Sequence, residues 1–183
     1  MDYFIKIIKE SIIIVVASSL IGLISGTVLS LNEEMLYSFP IILLILPSLN
    51  SLLGNVLIVL ISHLTTQMFI GTLIPTIEIS ENLKKEFLGL TITILLSLLF
   101  LIIFGYTIGY FTGVKIVNPL LIIFIILLTL MLLFVIFFLF LFVIAVYLFK
   151  KGKDPNNFLI PLITSLADFF TPFTLILFIQ IFI

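Results

Sequence analysis

One carboxylate stands where carboxylates are rare. Asp168 lies eleven residues into an apolar run that opens near Asn157, and no Lys or Arg shares its depth. At helical rise that distance is about 16 Å, close to the middle of a ~30 Å hydrocarbon layer. Placing an Asp there costs about 2.5–3.5 kcal/mol, so such residues face a bundle interior or a wet path. Without a basic partner the charge calls for a cation or a proton; a protonated or hydrogen-bonded structural Asp is the other reading. Thr164 and Ser165 stand four and three residues earlier, on or beside the same helical face. Pro161 lacks an N–H and frees a carbonyl nearby. Carboxylate, hydroxyls and carbonyl form a hard-oxygen lining that suits Mg²⁺ and equally Ca²⁺ or Mn²⁺. The plainer reading of the two hydroxyls is bonding back to their own helix.

A second polar group lies in an earlier apolar segment: Asn50, Ser51, Asn55, Ser62, His63, Thr65, Thr66 and Gln67. Asn55 follows Gly54, where a backbone can open and expose carbonyls. Gly54, Asn55 and Ser62 are therefore candidates for the wall of a polar path. His63 reads first as a packing or interface residue, with metal ligand and proton relay as the other readings. Asp154, in the loop Lys150–Asn157, reads as a helix start before Pro155 and, alternatively, as an ion site at the mouth of that path. Glu78, Glu81 and Glu86 sit beside Lys84 and Lys85 as a solvated loop, and Glu33 and Glu34 as a polar outer turn. There is no His-Glu-x-x-His, no Gly-x-Ser-x-Gly, no phosphate-cradling glycine loop and no carboxylate pair, so an enzyme is not expected. No basic patch is dense enough for nucleic acid.

These residues need a frame. The chain is 63% hydrophobic and 9% charged, against about 25% charged in soluble domains. So much apolar surface has to face lipid, where only helices or closed barrels satisfy the backbone. Apolar runs of 20 residues or more, without the alternation of a barrel strand, select helices. Cysteine is absent, which excludes disulfides and thiolate metal sites. Five segments are long enough to cross: about 11–31, 37–71, 87–111, 119–148 and 157–183. The first lacks a small-residue cleavage site, so it reads as a retained helix, not a secretory signal. The second is too long for one crossing and contains Pro40, Pro47 and Gly54-Asn55, which predicts a helix kinked or broken at Pro47 or Gly54. Lys6, Lys9, Lys84, Lys85, Lys150, Lys151 and Lys153 fall on one side and Lys115 on the other. The positive-inside rule then puts the N-terminus in the cytoplasm and the C-terminus outside the cell membrane. Residues 1–183 read as one all-α, multi-pass domain.

Small residues recur every fourth position at Ser18, Gly22 and Gly26, and at Gly105, Gly109 and Gly113. Such stripes let membrane helices approach closely, either between subunits or within one.

The run Pro47-Ser48-Leu49-Asn50-Ser51-Leu52-Leu53-Gly54-Asn55, followed by Ser62-His63-Leu64-Thr65-Thr66 and Gly71, resembles the second-helix motif of the MgtE-type magnesium transporters. It is closer still to that of their solute-carrier relatives in eukaryotes and archaea. Asp154-Pro155-Asn156-Asn157 and Pro161-Leu162-Ile163-Thr164-Ser165-Leu166-Ala167-Asp168 resemble the fifth-helix motif. The resemblance spans nearly the whole chain. It implies five helices paired about a two-fold axis, an ion path between the paired domains lined by the second and fifth helices, and a hydrated Mg²⁺ held at Asp168. It also implies that the cytoplasmic regulatory domains of bacterial members are missing. Three features depart from the pattern. His63 replaces a basic residue, Val56–Leu60 is wholly apolar where many relatives carry Gln or Glu, and Phe169-Phe170-Thr171-Pro172 replaces a glycine after the aspartate. A drier second helix fits altered selectivity or a subunit that pairs with a different half. The expected function is a divalent cation channel or transporter, acting as a homodimer; the rival is a non-conducting membrane subunit that scaffolds or regulates a second transporter half.

Overall fold

The computed structural model describes residues 2–183, with the side chains of residue 12 and of residues 15–183. The side chains of Lys6 and Lys9, on which part of the charge asymmetry rests, lie outside that set. The described residues form helices and no strands: α1 Asp2–Leu31, α2 Glu33–Ser38, α3 Pro40–Ile70, α4 Glu81–Phe111, α5 Pro119–Lys150 and α6 Pro155–Phe182. Four of them, α3 to α6, are long and apolar enough to cross a membrane, and Val15–Leu31 of α1 is a shorter apolar helix.

The boundaries follow from local chemistry. Pro40, Pro119 and Pro155 each open a helix, where the missing N–H costs nothing. Ser80 caps α4 by accepting from the Leu83 amide at 3.2 Å, and Asp154 caps α6 by accepting from the Asn156 amide at 3.0 Å. Gly71 closes α3 in the left-handed conformation at φ 82°, as helix-ending glycines commonly do.

The segment expected to start at residue 37 begins instead at Pro40, behind the separate short helix α2. A residue before proline is pushed out of the helical region, and Phe39, at φ −126° and ψ 67°, makes the corner. Nor is α3 broken: it is helical without interruption through Pro47 and Gly54. One internal proline removes a single helical bond, and the space Gly54 leaves is taken up by packing.

The central pair is α3 and α6. Helix α1 lies along α6, α4 lies along α3, and α5 packs on both members of the pair. The core between them is fully buried aliphatic and aromatic surface, including Leu53, Leu57, Leu60 and Leu64 of α3, Phe134 of α5, and Ile163 and Leu175 of α6. Phe87 stacks on Phe134 at 5.5 Å and meets Phe138 edge-on at 5.0 Å, joining α4 to α5. The two small-residue stripes differ. Gly105 and Gly109 face Ile45 and Ile41 of α3, so that stripe packs within the chain. Nothing lies within 4 Å of where a Cβ would stand on Gly22 or Gly26, which leaves them on the outer surface of α1.

Candidate functional site: a polar seam beside the α3–α6 contact

Polar side chains line part of each helix of the central pair. On α3, Ser48, Ser51, Asn55, His63 and Thr66 are exposed and Ser62 is half-buried; on α6, Asn157 and Asp168 are exposed and Pro161 and Thr164 half-buried. The α6 set recurs at spacings of three and four, and on α3 Ser48, Ser51 and Asn55 do the same, with Ser62 and Thr66 seven and eleven residues beyond Asn55 on that face. The helices touch at Gly54 and Ala167: a Cβ placed on Gly54 would stand 3.9 Å from that of Ala167. Asn55 and Asp168 are the next residues along, and both are exposed.

That spacing makes a prediction. At 3.9 Å a methyl is in ordinary van der Waals contact, so Gly54→Ala is expected to leave the thermal midpoint in detergent unchanged or slightly raised. Gly54→Leu overfills the contact and is expected to cost about 1–3 kcal/mol of stability. Equal midpoints for the two variants would show that the helices do not depend on this approach.

Among the described residues no basic side chain pairs with Asp168. The ion pairs among the described residues are His63–Glu86 and Lys84–Glu81, each 2.7 Å, and both lie at the end of the bundle formed by the close of α3 and the start of α4. Asn55 donates to Ser51 Oγ at 3.2 Å, within its own stripe. Thr164 and Ser165 donate to the Pro161 carbonyl at 3.0 and 3.2 Å, so their protons take the helix-bonding role while their lone pairs stay available. The carbonyl that Pro161 deprives of its helical donor is that of Asn157, four residues back.

The remaining candidates separate. Ser165 is buried, and so does not share the exposed face of Asp168. Gly54 is buried in the helix contact, where it sets spacing. Ser62 stands two turns from Asn55 along α3. Asp154 caps α6 about 21 Å from Asp168 along the helix. Among the described residues no three His, Cys, Asp or Glu side chains converge as a metal-holding group.

Two arrangements escaped the sequence reading. Glu86 belongs to α4, not to a solvated loop; it meets His63 at 2.7 Å and accepts from Gln67 at 3.3 Å. A cleft of about 530 Å³ between α3 and α4 runs from His63, Lys85 and Glu86 to Asn55, Thr93 and Ser97. The placement of His63 and Gln67 four apart on one helix was the available signal. The other is Ser25, whose hydroxyl bonds the Asp168 carbonyl at 2.7 Å; Pro172, four residues beyond Asp168, foretold an unmet carbonyl but not what would meet it.

An all-helical bundle with four helices long and apolar enough to cross a membrane defines a multi-pass membrane protein. The MgtE family model, described as a divalent cation transporter, matches residues 46–178, and the chain belongs to that family. No curated protein and no solved structure matches the chain.

Proposed function

We propose that the chain carries Mg²⁺, with Ca²⁺ and Mn²⁺ as the competing hard cations, along a path lined by α3 and α6. The observation that carries this reading is Asp168: a carboxylate exposed on a helix long and apolar enough to cross a membrane, with no ion-pair partner among the described residues and one position past the Gly54–Ala167 contact. Mg²⁺ gives up water reluctantly and is commonly held by one or two carboxylates through its hydration shell. A sparse site of one Asp, flanked by Asn55 and Thr164 oxygens, suits that habit better than a closed cage. Ser62 continues the lining inward, and Asp154 meets the ion at the inner mouth.

Three chain reversals separate α3 from α6, so the two run in opposite directions. From a facing contact at Gly54 and Ala167, one residue onward then turns to the same side on both helices. Asn55 and Asp168 so become neighbours on one surface, and a second copy brought against that surface encloses a path. In this arrangement residues 1–183 form one domain of five crossings, with α1 as the first, α3 bent at Pro47, the N-terminus cytoplasmic and Ile183 outside.

Reconstitution tests the proposal. The purified chain alone, in proteoliposomes, is expected to take up Mg²⁺, with Ca²⁺ and Mn²⁺ competing, and to cross-link as a homodimer. A pure chain that conducts nothing until a different membrane half is added would transfer the protein to the rival class of non-conducting subunit.

A further inference from the structure

In α6 the position four residues after Asp168 is Pro172. The amide hydrogen that would close the helix onto the Asp168 carbonyl does not exist. In a membrane-spanning helix such a carbonyl needs another donor. Ser25 of α1 supplies it: Ser25 Oγ donates to the Asp168 carbonyl at 2.7 Å, across 143 residues of sequence, and Ser25 is buried. The usual habit of helical hydroxyls in this chain is different. Ser19, Thr91, Thr107 and Thr129 each bond the carbonyl four residues back in their own helix. Ser25 forgoes that bond and spans to α6. Two turns earlier Ser18 approaches the Pro161 carbonyl at 3.5 Å, a second contact from α1 to α6.

We infer that Ser25 is a positioning residue for Asp168. Proline turns are where helices bend, and the direction in which the Asp168 side chain leaves α6 moves with its backbone. By holding the carbonyl of the same residue, Ser25 fixes that direction and makes α1 part of the ion site without touching the ion. The inference rests on the reading of Asp168 as the ion-binding group.

The test is Mg²⁺ uptake into proteoliposomes as a function of concentration, for wild type, Ser25→Ala, Ser25→Thr, Pro172→Ala, the Ser25→Ala/Pro172→Ala pair and Asp168→Asn. Ser25→Ala is expected to raise the half-saturating concentration about three- to tenfold, the range that the loss of one intramembrane hydrogen bond corresponds to, while the maximal rate stays near wild type. Ser25→Thr keeps the hydroxyl and is expected to stay at the wild-type value. Pro172→Ala restores the missing amide, so the double variant is expected to match Pro172→Ala alone, and it remains measurable if Ser25→Ala by itself does not fold. Equal shifts for Ala and Thr, or an undiminished Ser25→Ala shift in the Pro172→Ala background, overturn the inference. Asp168→Asn separates the two levels: uptake lost there, with Ser25→Ala at the wild-type half-saturation, overturns the positioning role alone. Wild-type uptake by Asp168→Asn overturns the ion reading beneath it.

Discussion

Asp168→Asn is expected to reduce Mg²⁺ uptake by several hundredfold while leaving the protein folded. Asn keeps the size and shape of the side chain and removes one negative charge. A pair of unit charges about 4 Å apart, at an effective dielectric near 20, contributes about 4 kcal/mol, which corresponds to several hundredfold in binding; the second charge of Mg²⁺ makes that the smaller end of the expected loss. The local structure has little reason to change. The bond from Ser25 goes to the backbone carbonyl, which Asn retains, and no ion pair is broken, since neither of the two described pairs includes Asp168. The thermal midpoint is therefore expected to hold or to rise, because a charge that is costly to place in lipid has been removed. Isotope uptake and a melting curve on the same preparation decide it. Normal uptake by the Asn variant would remove Asp168 from the mechanism, and a collapsed midpoint would recast it as a structural residue.

A large effect on stability is expected elsewhere, at Gly105. A methyl there would stand 2.8 Å from Ile45 Cγ1 and 2.9 Å from Cδ1, and Ile45 is buried on α3. The Cγ1 atom is close to the backbone and cannot swing aside without shifting the helix. At Gly109 the tight contact is with Ile41 Cδ1 alone, at 2.9 Å, the free end of a flexible side chain. Gly105→Ala is thus expected to cost about 1–3 kcal/mol, more than the ~1 kcal/mol that Ala gains over Gly in a helix. Gly109→Ala is expected to cost less. The consequence for α4 is large because only 17% of its most apolar stretch is buried, so few other contacts secure it. Pairing Gly105→Ala with Ile45→Ala is expected to cost less than the sum of the two, by about 0.5–3 kcal/mol of coupling. Thermal unfolding in detergent measures all four variants. A Gly105→Ala protein as stable as wild type would mean that α4 is not held by this approach.

Much of the frame was legible because lipid leaves few options. Apolar runs of helical length, with proline at their starts and polar turns between them, gave the long helices nearly as they are. The errors have local causes. Tyr37–Phe39 were read into α3 because they are apolar enough to continue it, but Pro40 excludes its predecessor from the helix. A kink or break at Pro47 or Gly54 was expected; α3 is continuous helix through both, and the smallness of Gly54 is used against Ala167. Glu86 was assigned to a loop because its neighbours are charged, whereas its partners His63 and Gln67 stand on another helix.

The sequence by itself determined that this is a helical membrane protein and that Asp168 is its anomalous charge, since both follow from the cost of placing polar groups in hydrocarbon. It also carried the family, through motifs that survive as strings of residues. Only the tertiary structure decided which glycine stripe packs inside the chain, which hydroxyls turn away from the exposed face, and that Ser25 meets the carbonyl Pro172 leaves open. Those depend on how helices far apart in sequence are rotated against one another. A proline shows where a hydrogen bond will be missing, but the group that replaces it is chosen by whichever helix packs there.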